Sequence, residues 1–276
     1  MARLETATGV SLFYRDFCGA AEPRSAETLV FVAGQSLPSD IWSYNLPFFT
    51  DRGLRCVAFD RRGHGRSDAP NTGYDIDTLA RDLGDVLARL ELSNVTLVGH
   101  SLGGAEIVRY LSRYAPKGSV RRAVLIGATL PRIPAGPDYA QGFDSGALNA
   151  MQAGWRTDFA RWIDENKRAF FAPETSNALV DWAARLMDSM PLYVQLEVSR
   201  TTATLDLRAE LPEIHTPTLL IHGDRDRSVP VEFGVQLAEL LPRARLIRYP
   251  EAAHGVFITH ADRVHRDLFE FIQTKA

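Results

Sequence analysis

Hydrophobic positions along the chain alternate between short continuous runs and longer stretches of helical periodicity. Six runs of five or six residues lack the polar–apolar alternation of a half-exposed strand, so they predict strands buried on both faces. The runs are residues 28–33, 55–60, 94–99, 123–127, 218–222 and 245–249. Because helical patterns separate them, we predict βα units on a mainly parallel sheet flanked by helices.

Other segments complete this pattern. Residues 10–16 do alternate, which predicts an antiparallel edge strand near the start of the chain. Asp75 precedes a row of apolar residues at helical spacing, so it is expected to cap the N-terminus of a helix. Further helices are predicted over residues 101–114, 231–241 and 261–273.

The alternation of strands and helices breaks once, between residues 132 and 212. This segment opens with a Pro/Gly-rich loop, continues through helical stretches and holds three of the four tryptophans, Trp155, Trp162 and Trp182. We predict a helical cap at 132–212, inserted into a core formed by residues 1–131 and 213–276. A second independent domain is the alternative, but the chain must return after residue 212 to finish the sheet.

Composition excludes several classes of partner. The 276 residues carry a formal net charge of −3 and are 45% hydrophobic, so no broad basic surface for nucleic acid is expected. No apolar run approaches the roughly 18 residues of a membrane helix, and the first residues lack a signal-peptide pattern. Of the two cysteines, Cys18 and Cys56, the second lies in an apolar run. A cytoplasmic protein without a thiol metal site is the expectation.

The strongest chemical signal is the motif Gly99-His100-Ser101-Leu102-Gly103, a Gly-x-Ser-x-Gly sequence. An apolar strand precedes it and an amphipathic helix follows, which is the context of a nucleophile elbow. The sharp turn requires small residues two positions from the serine, and it directs the hydroxyl to a helix N-terminus. We therefore predict that Ser101 is a catalytic nucleophile.

A serine nucleophile needs a general base and a group that orients the base. Of the seven histidines, only His254, His260 and His265 follow the last predicted strand. His254 lies in a loop just beyond that strand and is the predicted base, whereas the other two lie in or beside the final helix. Asp224 and Asp226 both follow the strand at 218–222 and are both candidates for the acid.

At this point the chain resembles the α/β-hydrolases, in particular the bacterial arylesterases and cofactor-free, non-heme chloroperoxidases. The resemblance runs along nearly the whole chain and is carried by the elbow and by residues 59–68, 124–128, 137–142, 222–226 and 253–255. It implies an α/β-hydrolase fold and a Ser101–His254–Asp226 triad, with Asp224 stabilising the turn. It also implies perhydrolysis, in which hydrogen peroxide replaces water, with no cofactor and no metal.

The sequence departs from the family near the expected oxyanion hole, which needs two backbone N–H donors. Leu102 follows the nucleophile and should supply one, and Gln35 should supply the other. Many relatives have an aromatic residue where this chain has Gln35, and many have Phe where it has His100. His100 and His64 are expected to be structural. Candidate pocket walls are Trp42, Leu130, Phe143 and Trp162.

These features predict a serine hydrolase that cleaves small or medium acyl or aryl carboxylic esters through an acyl-enzyme. Its expected partner is a small-molecule ester, and assembly into a homo-oligomer is an open alternative to a monomer. Amidase and lactonase activity would use the same triad. A cofactor-free lyase or dioxygenase, or a slow-turnover small-molecule receptor, would use the same fold without fast turnover of an acyl-enzyme.

Overall fold

The computed structural model describes residues 2–17 and 27–274, so Cys18 lies outside the described residues. Eight strands form one sheet in the order β1-β2-β4-β3-β5-β6-β7-β8. The strands are β1 (Arg3–Glu5), β2 (Ser11–Phe17), β3 (Thr28–Val32), β4 (Arg55–Phe59), β5 (Val95–His100), β6 (Val120–Ile126), β7 (Thr218–Gly223) and β8 (Ala244–Tyr249). The pairs from β4 through β8 are all parallel.

All six continuous apolar runs form strands, which confirms the prediction of a mainly parallel sheet. Strand β5 lies between β3 and β6, and its residues are buried throughout. Parallel pairing aligns Val32 at the end of β3 with Gly99 near the end of β5. The loops that follow these two strands therefore start from the same edge of the sheet.

Two predictions about the sheet margins were wrong. Strand β2 is antiparallel to β4, as expected, but the three-residue strand β1 pairs with its other side and takes the edge position. A strand that short carries too little alternation to be recognised. Strand β8 is only partly buried, because it has a neighbour on one side alone. Its two arginines, Arg245 and Arg248, are exposed at this edge of the sheet.

Nine α-helices surround the sheet in the described part of the chain. They are α1 (Leu46–Thr50), α2 (Ile76–Arg89), α3 (Leu102–Arg113), α4 (Ser145–Asn166), α5 (Asn177–Asp188), α6 (Leu192–Ala203), α7 (Val231–Leu240), α8 (Val256–Thr259) and α9 (Ala261–Gln273). Asp75 caps α2 as predicted, accepting a hydrogen bond from the Thr78 N–H. Apolar side chains of α2, α3 and α7 form one core cluster with the sheet, and those of α1, α8 and α9 form another.

The segment at 132–212 carries α4, α5 and α6 and, throughout its length, no strand. The strands before and after it, β6 and β7, are parallel neighbours. Its two ends are joined by hydrogen bonds from Ile133 N–H to the Leu205 carbonyl and from Leu207 N–H to the Pro131 carbonyl, both 2.9 Å. The chain thus leaves the sheet and returns to it at one place. None of the helices described has the length and apolar character needed to cross a membrane.

Candidate active site

Ser101 stands at the sharp turn between β5 and α3. Its backbone has φ 53° and ψ −119°, a conformation that L-residues rarely adopt. A strained residue of this kind persists only where its surroundings fix it, and such residues cluster at functional sites. Ser101 is 8% exposed, and its N–H donates to the Ile126 carbonyl at 2.9 Å. The predicted elbow geometry is present.

The two motif glycines make this turn possible because no side chain fits at either position. A Cβ on Gly103 would lie 2.3 Å from the Val32 carbonyl oxygen, and one on Gly99 would lie 2.7 Å from the Gly103 backbone. Atoms cannot approach that closely, so helix α3 packs against the end of β3 only with glycine here. This close packing holds Ser101 beside the loop that follows β3.

His254 and Asp226 form a buried pair on the loops after β8 and β7. The His254 Nδ1 lies 2.7 Å from the Asp226 Oδ2, and the residues are 5% and 8% exposed. A carboxylate only accepts hydrogen bonds, so in the neutral ring Nδ1 carries the proton and Nε2 has the lone pair. The other oxygen, Asp226 Oδ1, accepts from the N–H groups of Ser228 and Val229 at 2.8 Å. This leaves His254 in the tautomer of a general base.

The competing candidates for acid and base have other partners. Asp224 accepts a hydrogen bond from Arg248 at 2.8 Å. Glu251, a further carboxylate three residues before His254, forms an ion pair with Arg225. His260 contacts the hydroxyl of its neighbour Thr259. His265 stacks on a phenylalanine ring and contacts an asparagine amide within the core.

The loop after β6 brings the predicted nucleophile and base to one place. Gly127 directly follows Ile126, which accepts the Ser101 N–H. A Cβ on Gly127 would lie 3.2 Å from the His254 Nδ1 and 3.3 Å from the Asp226 Oδ2. Gly127, with φ 51°, therefore lets the histidine–aspartate pair approach the backbone beside the elbow.

His100, next to Ser101, joins the elbow to the His254 loop. Its Nε2 donates to the His254 carbonyl at 3.2 Å, and the two imidazole centroids are 4.5 Å apart. Complete burial, together with the nearby His254, holds the pKa of His100 well below its usual range. A neutral His100 therefore supports the position of the His254 loop, in keeping with the predicted structural role.

The loop after β3 passes directly against the elbow. A Cβ on Gly34 would lie 3.1 Å from the Ser101 Cβ and 2.7 Å from the His100 Nδ1. The next residue is Gln35, and among the described residues no acceptor is hydrogen-bonded to the N–H of Gln35 or of Leu102. Neither predicted oxyanion donor is therefore used by another protein group in this part of the chain.

The segment at 132–212 reaches this region at two points that the sequence did not predict. The Phe170 ring lies 5.3 Å from the His254 ring, between centroids, and its carbonyl accepts the Gly255 N–H at 2.7 Å. On the other side, the Ser36 hydroxyl donates to the buried Gln195 of α6 at 2.7 Å. Both contacts join residues far apart in sequence, so no local pattern could have indicated them.

The four predicted pocket walls lie in the core and in the inserted segment. Trp42 packs between Phe31 and Phe257 and is 1% exposed, and Leu130 is also fully buried. Phe143 packs on a phenylalanine of α7, and Trp162 packs on Trp155 of α4. Their role as pocket walls stays a prediction. Within residues 2–17 and 27–274, no group of three or more His, Cys, Asp or Glu side chains could hold a metal ion.

Comparison with known proteins agrees with this geometry. A family model described as the alpha/beta hydrolase fold matches residues 27–261. The chain is 34% identical to a non-heme chloroperoxidase of Kitasatospora aureofaciens over 97% of its own length and 98% of the relative's. It is 32% identical to a bifunctional esterase/perhydrolase of Acinetobacter calcoaceticus, over 99% and 100%.

A solved structure agrees equally well over its whole length. An esterase from Exiguobacterium antarcticum superposes with a TM-score of 0.93 at 27% identity, covering 99% of each chain. The chain belongs to the α/β-hydrolase family. Within that family it is a member of the group that contains the non-heme chloroperoxidases and related esterases.

Proposed function

We propose that this protein is a serine hydrolase that cleaves carboxylic esters of small or medium acyl or aryl groups through an acyl-enzyme. The observation that carries the proposal is the hydrogen-bonded His254–Asp226 pair beside a serine on a strained strand-to-helix turn. Relatives named as an esterase and an esterase/perhydrolase support the same class of reaction.

In the proposed mechanism His254 Nε2 removes the Ser101 proton as the hydroxyl oxygen attacks the ester carbonyl. Asp226 keeps the proton on Nδ1 and stabilises the imidazolium that forms. The N–H groups of Gln35 and Leu102 stabilise the developing oxyanion. His254 then protonates the leaving alcohol, and water attacks the acyl-enzyme with His254 again as the base, which releases the acid and restores Ser101.

We further propose that residues 132–212 act as a cap over this site. The contacts of Phe170 with His254 and of Gln195 with Ser36 support this role, because both reach residues beside the proposed catalytic groups. A cap so placed would limit the size of the acyl group and shield the acyl-enzyme from bulk water.

Perhydrolysis is a second candidate activity, favoured by the names of the chloroperoxidase and the esterase/perhydrolase relatives. Hydrogen peroxide would attack the acyl-enzyme in place of water and leave as a peracid, while His254 accepts the peroxide proton and returns it to Ser101. The peracid then oxidises halide in solution, a step that needs no group on the protein.

Pre-steady-state hydrolysis of p-nitrophenyl acetate tests the proposed function. An acyl-enzyme whose breakdown limits turnover should release about one equivalent of p-nitrophenol in a burst, followed by a fast steady rate. A cofactor-free lyase or dioxygenase would give neither a burst nor steady turnover of the ester. A small-molecule receptor would give a burst and then almost no turnover, and either pattern would refute an esterase. An amide and a lactone as parallel substrates distinguish amidase and lactonase activity.

Replacing Gln35 distinguishes the role of its backbone N–H from the role of its side-chain amide. The side chain is partly exposed and has no hydrogen-bond partner among the described residues, so Gln35→Ala leaves the backbone donor in place. We expect kcat/KM for an acetate ester to stay within about threefold, since a lost oxyanion donor would cost about 10²–10³. An ester of a 2-hydroxy acid should lose several-fold, the effect of one neutral hydrogen bond of about 0.5–1.5 kcal/mol. Equal losses on both substrates would show that the side chain holds the loop instead.

A further inference from the structure

A buried arginine lies behind the loop that carries the proposed oxyanion donor. Arg61, 3% exposed, follows β4 and donates to the Ala33 carbonyl at 2.5 Å and to the Gly34 carbonyl at 3.1 Å. Its Nε forms an ion pair with Glu106 of α3, which is 1% exposed. Glu106 lies on the helix that begins at the nucleophile, so one guanidinium joins that helix to the loop after β3.

The remaining surroundings of Arg61 are also polar and buried. His64 donates from Nδ1 to the Arg62 carbonyl at 2.9 Å, which leaves Nε2 as an acceptor 3.4 Å from the Arg61 guanidinium. Burial and the charge of Arg61 lower the pKa of His64 to about 3, so this histidine is neutral. Burial raises the pKa of Glu106 to about 7, against the opposing effect of Arg61.

A buried ion pair is a poor way to gain stability, because removing two charges from water costs about as much as their attraction returns. Arg61 instead restrains the orientation of a backbone peptide group. The peptide bond between Gly34 and Gln35 is trans, and in a planar trans peptide the C=O and N–H point in opposite directions. The atom that Arg61 holds is the oxygen of the same peptide that bears the Gln35 N–H.

We propose that Arg61, held by Glu106, is a positioning residue that fixes the orientation of the Gln35 N–H toward the oxyanion. This inference rests on the proposed function. Gly34 already lies against Ser101 and His100, so a small rotation of this peptide would turn the donor away from the reacting carbonyl. The Leu37 N–H also donates to the Gly34 carbonyl, but at 3.3 Å, and cannot replace a charged donor.

The neighbouring pair Arg62–Asp82 provides a matched control. Arg62 is 2% exposed and donates two hydrogen bonds to the buried Asp82, at 2.6 and 2.7 Å. Its remaining side-chain hydrogen bond is with the Thr8 hydroxyl. Arg62 thus shares the burial and chemistry of Arg61, but within the described residues it makes no hydrogen bond to the loop after β3. Replacing both members of a buried pair with apolar residues avoids an unpaired charge, and such changes are often tolerated.

The test compares the double variants Arg61→Met/Glu106→Leu and Arg62→Met/Asp82→Leu with the wild type. Two readouts are measured on p-nitrophenyl acetate: the split between kcat and KM, and inhibition by phenylboronic acid, which forms a tetrahedral serine adduct. We expect the first variant to lose about 10² in kcat and a similar factor in boronate affinity, with KM within about threefold. The Arg62/Asp82 variant should stay within about threefold in all three quantities.

Arg61→Lys supplies the second test should the double variant fail to fold. One ammonium cannot reproduce the fork that holds two carbonyls and Glu106, so we expect losses of about tenfold in kcat and boronate affinity. Wild-type kcat and boronate affinity in either folded Arg61 variant, or equal losses in both double variants, would overturn the proposal. A wild-type protein inert toward the ester would instead refute the proposed function, and this inference with it.

Discussion

Ser101→Ala is expected to abolish ester hydrolysis while the fold is retained. Alanine removes the only oxygen that can form the proposed acyl-enzyme, and losing a triad nucleophile lowers kcat by about 10⁶. The strained backbone at φ 53° is no worse for alanine than for serine. The measurement is kcat on p-nitrophenyl acetate, with the melting temperature recorded in parallel.

Ser39→Ala is a suitable control for this experiment. Ser39 is 1% exposed and its hydroxyl has no hydrogen-bond partner among the described residues. It should therefore keep wild-type kcat within about threefold, with little change in stability. Ser101→Ala activity close to that of Ser39→Ala would rule out Ser101 as the nucleophile.

Asp226→Asn should have the second largest effect. The Asp226 Oδ1 accepts two backbone N–H bonds, so an asparagine will keep its oxygen there and turn its NH₂ toward His254. His254 Nδ1 must then become an acceptor, which moves the ring proton to Nε2 and removes the general base. We expect kcat to fall by about 10⁴, as when a triad aspartate is changed in this way.

Asp224→Asn is the matched control, two residues away on the same loop. Asp224 pairs with the half-exposed Arg248, and a pair near the surface contributes little to stability. Its kcat should stay within about threefold of wild type. A larger loss for Asp224→Asn than for Asp226→Asn would assign the acid to Asp224.

The strands and the elbow could be predicted because their causes are local. A continuous apolar run is enough to identify a strand buried on both faces. Gly99 and Gly103 indicate the sharp turn at Ser101, because the turn leaves no room for a side chain at either position. The start of β6 was missed for the opposite reason. Its polar residue Arg122 is completely buried, and it is accommodated by hydrogen bonds to Glu27, 95 residues away.

The residues that hold the candidate site in place also act through contacts between positions far apart in the sequence. Glu106 is a lone carboxylate between apolar residues of α3, and only its pairing with Arg61 explains why it is buried. Phe170 is one of several aromatic residues in the inserted segment, and nothing in the sequence distinguishes the ring that contacts His254. A single sequence reveals the reacting groups better than the groups that hold them in place.

Ser101 should carry the acyl group during turnover. The most direct measurement is the intact mass of the enzyme, acid-quenched within the first turnover of p-nitrophenyl acetate, followed by peptide mapping. We expect a mass increase of one acetyl group on the peptide that contains Ser101, and none in Ser101→Ala. A burst of p-nitrophenol with no acetyl group on Ser101 would exclude this role for Ser101.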